Sequence, residues 1–123
     1  MIEDHKENVI EHSRNPRNRG NMTDPDGVGR IADILTVFIR VEDNIITGIK
    51  YEIEDGPVSV ACASVMTELA IGKDLDEAVM IEGENVADAL GGLPEREIYC
   101  SNRAATALQE AIINHVYGRR KRA

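Results

Sequence analysis

The sequence predicts an α+β domain, a small antiparallel sheet of two or three strands with helices packed on one face. Three observations predict it. Two adjoining period-2 segments rich in β-branched residues lie between Ile34 and Ile53, an apolar run extends from Val58 to Ile71, and the C-terminal segment carries one apolar helical face. With 123 residues, 42% hydrophobic and 29% charged, the chain can bury a core as one domain, residues 1–123, without disulfides or structural metal.

Residues 2–13 place Ile2, Val9 and Ile10 among charges as a short helix, and Arg14 to Arg30 fills with Asn, Pro, Asp and Gly and reads as a long loop. Leu35, Val37, Ile39 and Val41 then alternate with Thr36, Phe38 and Arg40 as a strand. Asp43-Asn44 supplies a turn, and the next strand sets Ile45, Thr47, Ile49, Tyr51 and Ile53 on one face against Ile46, Lys50 and Glu52 on the other. Asp55-Gly56-Pro57 breaks that strand. Pro57 suits a first helical position, and Val58 to Ile71 is apolar on nearly every side, the mark of a buried helix. Asp74 opens a short helix with Glu77 three residues on, and Glu84 to Leu90 forms another that Gly91-Gly92 stops. Ser101 is a good N-cap for a last helix whose face, Ala104, Leu108, Ala111, Ile112 and Val116, ends at Gly118. The basic run Arg119 to Arg122 reads as part of a solvated, frayed tail over 119–123.

Net charge −8 and a pI near 4.8 argue against nucleic-acid binding, which needs a basic face. No stretch is apolar enough to predict a membrane span, and Met1-Ile2-Glu3-Asp4 lacks a basic leader, so a cytoplasmic location is expected. Two cysteines suit a reducing compartment. There is no Ser-His-Asp pattern, phosphate loop or paired C-x-x-C, and the chain does not read as an enzyme. His5, His12 and His115 are too scattered for a metal cluster and suit surface or capping roles.

His12-Ser13-Arg14-Asn15-Pro16-Arg17-Asn18, followed by Arg19-Gly20, resembles the H-x-x-N-P-R-N-x-G loop of the IscU/NifU N-terminal family of iron-sulfur cluster assembly scaffolds. Val65-Met66-Thr67-Glu68, Gly72-Lys73, Leu75-Asp76-Glu77-Ala78 and Leu93-Pro94 through Cys100-Ser101 resemble later family segments in the same order. In that family three cysteines and an aspartate, with a histidine beside the third cysteine in some members, hold a cluster or zinc, a task soft anionic thiolates suit. The first cysteine's C-G-D motif aligns with Ile31-Ala32-Asp33, the second cysteine's G-C-G turn aligns with Asp55-Gly56-Pro57, and the histidine becomes Tyr99. The resemblance therefore leaves Asp33 and Cys100 as residual metal-ligand positions. It also implies a trimmed strand before Asp33 and, with Glu95-Arg96 after Pro94, loss of the segment that a dedicated Hsp70 chaperone reads.

Cys100 is expected just before the last helix, where free N–H groups and the dipole favour a thiolate, with packing as the alternative. Cys62, six residues past the lost second cysteine, is displaced roughly 9 Å along a helix axis and is expected in the core. Tyr99 is expected to pack, and Asp33 is either a ligand remnant or a surface residue. The resemblance implies an accessory or degenerate scaffold, with Cys100 accepting sulfur from a cysteine desulfurase. The alternative is a metal-free protein-protein interaction module. As an isolated monomer it is expected to hold no cofactor, taking an iron-sulfur cluster or zinc only if a partner supplies ligands. Expected partners are a desulfurase or other assembly proteins, with a homo-oligomer possible and neither nucleic acid nor membrane.

Overall fold

The β-branched alternation forms three antiparallel strands in the computed structural model, which describes residues 2–122, with side chains described through Gly118. They are β1 (Gly27–Ile31), β2 (Leu35–Glu42) and β3 (Ile45–Ile53), in spatial order β1-β2-β3. The helices are α1 (Glu7–Arg14), α2 (Pro57–Ala70), α3 (Leu75–Ala78), α4 (Gly83–Ala89) and α5 (Ile98–Arg122), with short 3-10 turns at Ile2–Asp4 and Glu95–Glu97. The expected α+β class holds. No helix among the described residues is long and apolar enough to cross a membrane.

β1 corrects the expectation of a loop to Arg30. Gly27 and Gly29 read as loop residues, yet both sit where α5 crosses the sheet. A Cβ on Gly29 would fall on the Ala107 carbonyl oxygen, 2.5 Å from the Ala111 amide nitrogen and 2.9 Å from Glu110 Cβ. The helix rests on the strand's main chain, and glycine is what admits that approach.

Both hairpin turns use left-handed backbone. Asp43 and Asn44 have φ of 51° and 66°, as their residue types permit, and Ala32 and Asp33 have φ of 53° and 55°. The Ile34 amide donates to the Ile31 carbonyl at 3.0 Å to close the first turn. Alanine in that region carries a steric cost of roughly 1–2 kcal/mol, partly offset by glycine's larger unfolded-state entropy. Ala32→Gly is therefore expected to stabilise the fold by about 1 kcal/mol, raising Tm by roughly 4 °C. A variant that melts lower in a thermal scan would show that Ala32 is not strained.

The expected face of β3 breaks at its start. Arg40 pairs with Gly48 and Val41 with Ile46, so Thr47 is an extra residue, and the bulge turns Ile46 inward to full burial. Ile46 then exchanges backbone bonds with the loop after α2, its amide to the Lys73 carbonyl at 2.9 Å and its carbonyl from the Gly72 amide at 2.8 Å. Ile49, Tyr51 and Ile53 stay on the core side.

α2 begins as expected, with Gly56 at the N-cap and Pro57 first, and all but three of its fourteen residues are buried. It lies against β3, α1 and α5. Asp74 caps α3 by accepting from the Glu77 amide at 2.8 Å. α5 starts at Ile98, three residues before the expected cap: the 3-10 turn after Pro94 feeds directly into it, and Ser101 Oγ instead donates to the Ile98 carbonyl at 2.8 Å. α5 continues past Gly118 to Arg122, a mid-helix glycine costing only about 1 kcal/mol. The side chains of the basic tail lie outside the described residues.

The loop before β1 is locked to α2 through the motif that carries the resemblance. His12 is buried, a correction to its surface reading: Nδ1 lies 2.7 Å from Ser64 Oγ, and Nε2 lies 3.3 Å from Glu68 Oε1. The Arg17 amide donates to the same Ser64 oxygen at 2.9 Å, Asn18 Nδ2 donates to Thr67 Oγ1 at 2.9 Å, and the Gly20 amide donates to the Tyr51 carbonyl on the β3 edge at 2.8 Å. A serine, a histidine and a carboxylate stand in line here. Ser64 is nevertheless fully buried and already accepts from the backbone, so the row holds a loop and presents no nucleophile.

Burial, with the Arg17 charge second, lowers the His12 pKa below its ordinary 6.5. The unfolded chain thus binds that proton more readily than the folded one. His12's contribution to stability is complete above pH 6.5 and is lost as pH falls from there toward the lowered folded value. Urea titrations at successive pH values are expected to show this loss in the wild type and a smaller one in His12→Gln. Equal slopes in the two proteins would exclude His12 as its source.

Candidate functional site

α5 delivers Cys100 as its third residue, inside the first turn and not just before the helix as expected, and α2 delivers Ser59 one turn after Gly56. The two meet. Ser59 Oγ lies 3.2 Å from Cys100 Sγ and donates to Asp55 Oδ2 at 2.7 Å. Asp55 Oδ1 accepts from the Gly56 amide at 2.8 Å, and Oδ2 also faces Arg103 Nη1 at 3.3 Å. These bonds, Ser59's first, hold the Asp55 carboxyl below the usual carboxylate range. Arg103 in turn stacks on the Tyr99 ring, 4.8 Å from its centroid.

Cys100 is 4% exposed and lines a pocket of about 260 Å³ together with His5, Asp55, Gly56, Ser59 and Tyr99. Tyr99 is half exposed at the rim, so its expected packing role is limited to the Arg103 stack. His5 bonds Glu97 through Nε2 at 2.6 Å, fixing the N-terminal segment beside the pocket. Cys62 is fully buried on α2, one turn beyond Ser59, and burial pushes its thiol pKa up, with the neighbouring Cys100 adding to the effect. Both cysteines are free.

Asp33 stands at the exposed tip of the β1–β2 turn and is not among the residues lining this pocket. Its turn does adjoin the site: the Glu54 amide donates to the Ile34 carbonyl at 3.0 Å, tying that turn to the strand end that leads to Asp55. Ile31, Gly56 and Tyr99 offer no thiolate or imidazole. No group of three or more His, Cys, Asp or Glu among the described residues is placed to hold a metal. One thiol, one hydroxyl and a carboxylate already paired with an arginine do not fit a tetrahedral, thiolate-rich iron or zinc centre. The arrangement can instead hold one sulfur nucleophile at a helix N-terminus, beside a hydrogen-bonding hydroxyl.

Sequence reasoning missed Asp55, Ser59 and Arg103. One signal was available. An aspartate and a serine four residues apart straddle the start of a helix that is otherwise almost wholly apolar.

Fold and site define a small α+β domain with one sheltered thiol in the first turn of its last helix. The NifU-like N terminal domain family matches residues 4–123, and the chain belongs to that family. An iron-sulfur cluster assembly scaffold protein IscU of Archaeoglobus fulgidus is 41% identical over 116 residues, covering 90% of this chain and 76% of the relative. The IscU scaffold protein of Haemophilus influenzae is 33% identical over 90% of this chain and 94% of its own. Among solved structures, a putative iron-sulfur cluster assembly scaffold protein for the SUF system from Fervidobacterium islandicum superposes with a TM-score of 0.69 at 20% identity, covering 88% of this chain and 96% of that one. That likeness supports the fold alone. The family's relatives are named as assembly scaffolds, and the α+β architecture is the one expected for it.

Proposed function

We propose that this chain is an accessory member of the scaffold family that accepts sulfur on Cys100 from a cysteine desulfurase or another cluster-assembly protein and does not build a cluster alone. The observation that carries it is the placement of Cys100: a lone thiol in the first turn of α5, opening into a pocket and facing a hydroxyl. A persulfide needs one such sulfur, whereas a cluster needs several ligands. Asp33 and Cys100 keep the family's ligand positions in sequence, and an iron-sulfur cluster or zinc would require further donors from a partner.

Incubation with a desulfurase and cysteine is expected to leave one extra sulfur on Cys100, read as a mass increase that a reductant removes. Cys100→Ser is expected to abolish it and Cys62→Ser to leave it intact. Sulfur on Cys62, or none at all, would overturn the reading. A metal-free interaction module would then be the better account, favoured by the ion pair that commits the Asp55 carboxylate to Arg103.

A further inference from the structure

Two acceptors compete for one proton in the lining of the pocket. Ser59 Oγ is within hydrogen-bond reach of both Asp55 Oδ2 and Cys100 Sγ, at 2.7 and 3.2 Å, and a serine hydroxyl has a single hydrogen to give. Asp55 is an anion held in place by the Gly56 amide and Arg103, and its bond to Ser59 is the shorter. In the resting site the hydroxyl therefore points to Asp55, and Cys100 S–H is left to donate to Ser59 Oγ. A sulfur that becomes an anion needs the opposite arrangement, with the hydroxyl aimed at it.

We propose that Ser59 is a positioning residue that arms the Cys100 sulfur by turning its hydroxyl from Asp55 to the sulfur, and that Asp55 is the restraint on that turn. The inference rests on the sulfur-acceptor reading and adds its regulation. In the transfer, Cys100 sulfur attacks the terminal sulfur of a donor persulfide. One S–S bond forms on Cys100, the donor's S–S bond breaks, and the Cys100 proton ends on the departing donor thiolate, so no external oxidant or reductant is consumed. The charge growing on Cys100 at the moment of attack is what Ser59 meets. The pairing of Asp55 with Ser59 belongs to this chain's own sequence: Asp55 stands where the resemblance places the first glycine of a G-C-G turn.

The test is the alkylation rate of Cys100 by iodoacetamide at one fixed pH, with thermal melts to confirm folding and transfer from a small-molecule persulfide as a second arm. Ser59→Ala is expected to slow alkylation about tenfold, the typical worth of a hydrogen bond to a charged group, and Ser59→Thr, which keeps the hydroxyl, to restore it. Asp55→Asn is expected to act in the opposite direction, because the introduced side-chain amide can donate to Ser59 Oγ and leave its proton for the sulfur. That gain should vanish in the S59A/D55N double variant. Wild-type rates in Ser59→Ala, or a gain in Asp55→Asn that survives in the double variant, would overturn the proposal, the latter by showing that charge alone acts. Since the alkylation arm contains no sulfur donor, failure of persulfide transfer with this alkylation pattern intact would sink the acceptor reading and leave the role of Ser59 standing.

Discussion

Gly29→Ala is expected to be among the most damaging single-methyl additions this chain can suffer, costing about 3 kcal/mol or more in urea denaturation. The new Cβ would meet the Ala107 carbonyl oxygen and the Ala111 amide, which are backbone atoms of α5 and cannot rotate aside. Either the helix lifts off the sheet or β1 detaches, and each exposes core residues such as Ala104, Leu108 and Ala111. Gly48→Ala on β3 is the internal control, because its Cβ would lie 3.4 Å from Arg40 Cβ and 3.6 Å from Met22 Cε, which is ordinary contact. If the two variants were equally stable, the seating of α5 on β1 would be wrong.

In the folded protein, alkylating reagents are expected to modify Cys100 at least about a hundredfold faster than Cys62, since modification of Cys62 requires an opening that costs several kcal/mol. Cys100 is buried but faces the pocket, whereas Cys62 is enclosed within α2's apolar surroundings with its thiol pKa pushed up. Peptide mass spectrometry after timed quenching reads the two sites separately. Labelling at equal rates in native buffer, and not only in urea, would show that Cys100 is as inaccessible as a core thiol and would remove the basis for sulfur transfer.

The parts of the fold legible in the sequence are those whose side chains carry a period or a cap. Leu35, Val37 and Ile39 announce β2, Gly56-Pro57 announces the start of α2, and Asp74 announces α3. β1 stays hidden because two of its five residues have no side chain, and what makes them strand residues is a helix about eighty positions away. The period puts Ile46 on the wrong face because a bulge resets it without a local signal. His12 reads as a surface residue because its partners Ser64 and Glu68 come from another helix. At the candidate site, the family resemblance locates Cys100 and the gaps around it. It does not reveal that Asp55, Ser59 and Arg103 occupy those gaps, since that depends on how α2 and α5 meet.

The contact between α5 and β1 bears on how such a chain can change over generations. Because part of it runs through main-chain atoms, the height of the helix above the sheet at Ala107 and Ala111 is insensitive to much of the side-chain turnover elsewhere. Ile31, Gly56 and Tyr99 all lie outside this seat. Substitutions at Gly56 and Tyr99, both exposed, therefore leave the contact untouched. The seat itself tolerates almost nothing, because any side chain at Gly27 or Gly29 would meet the backbone of α5.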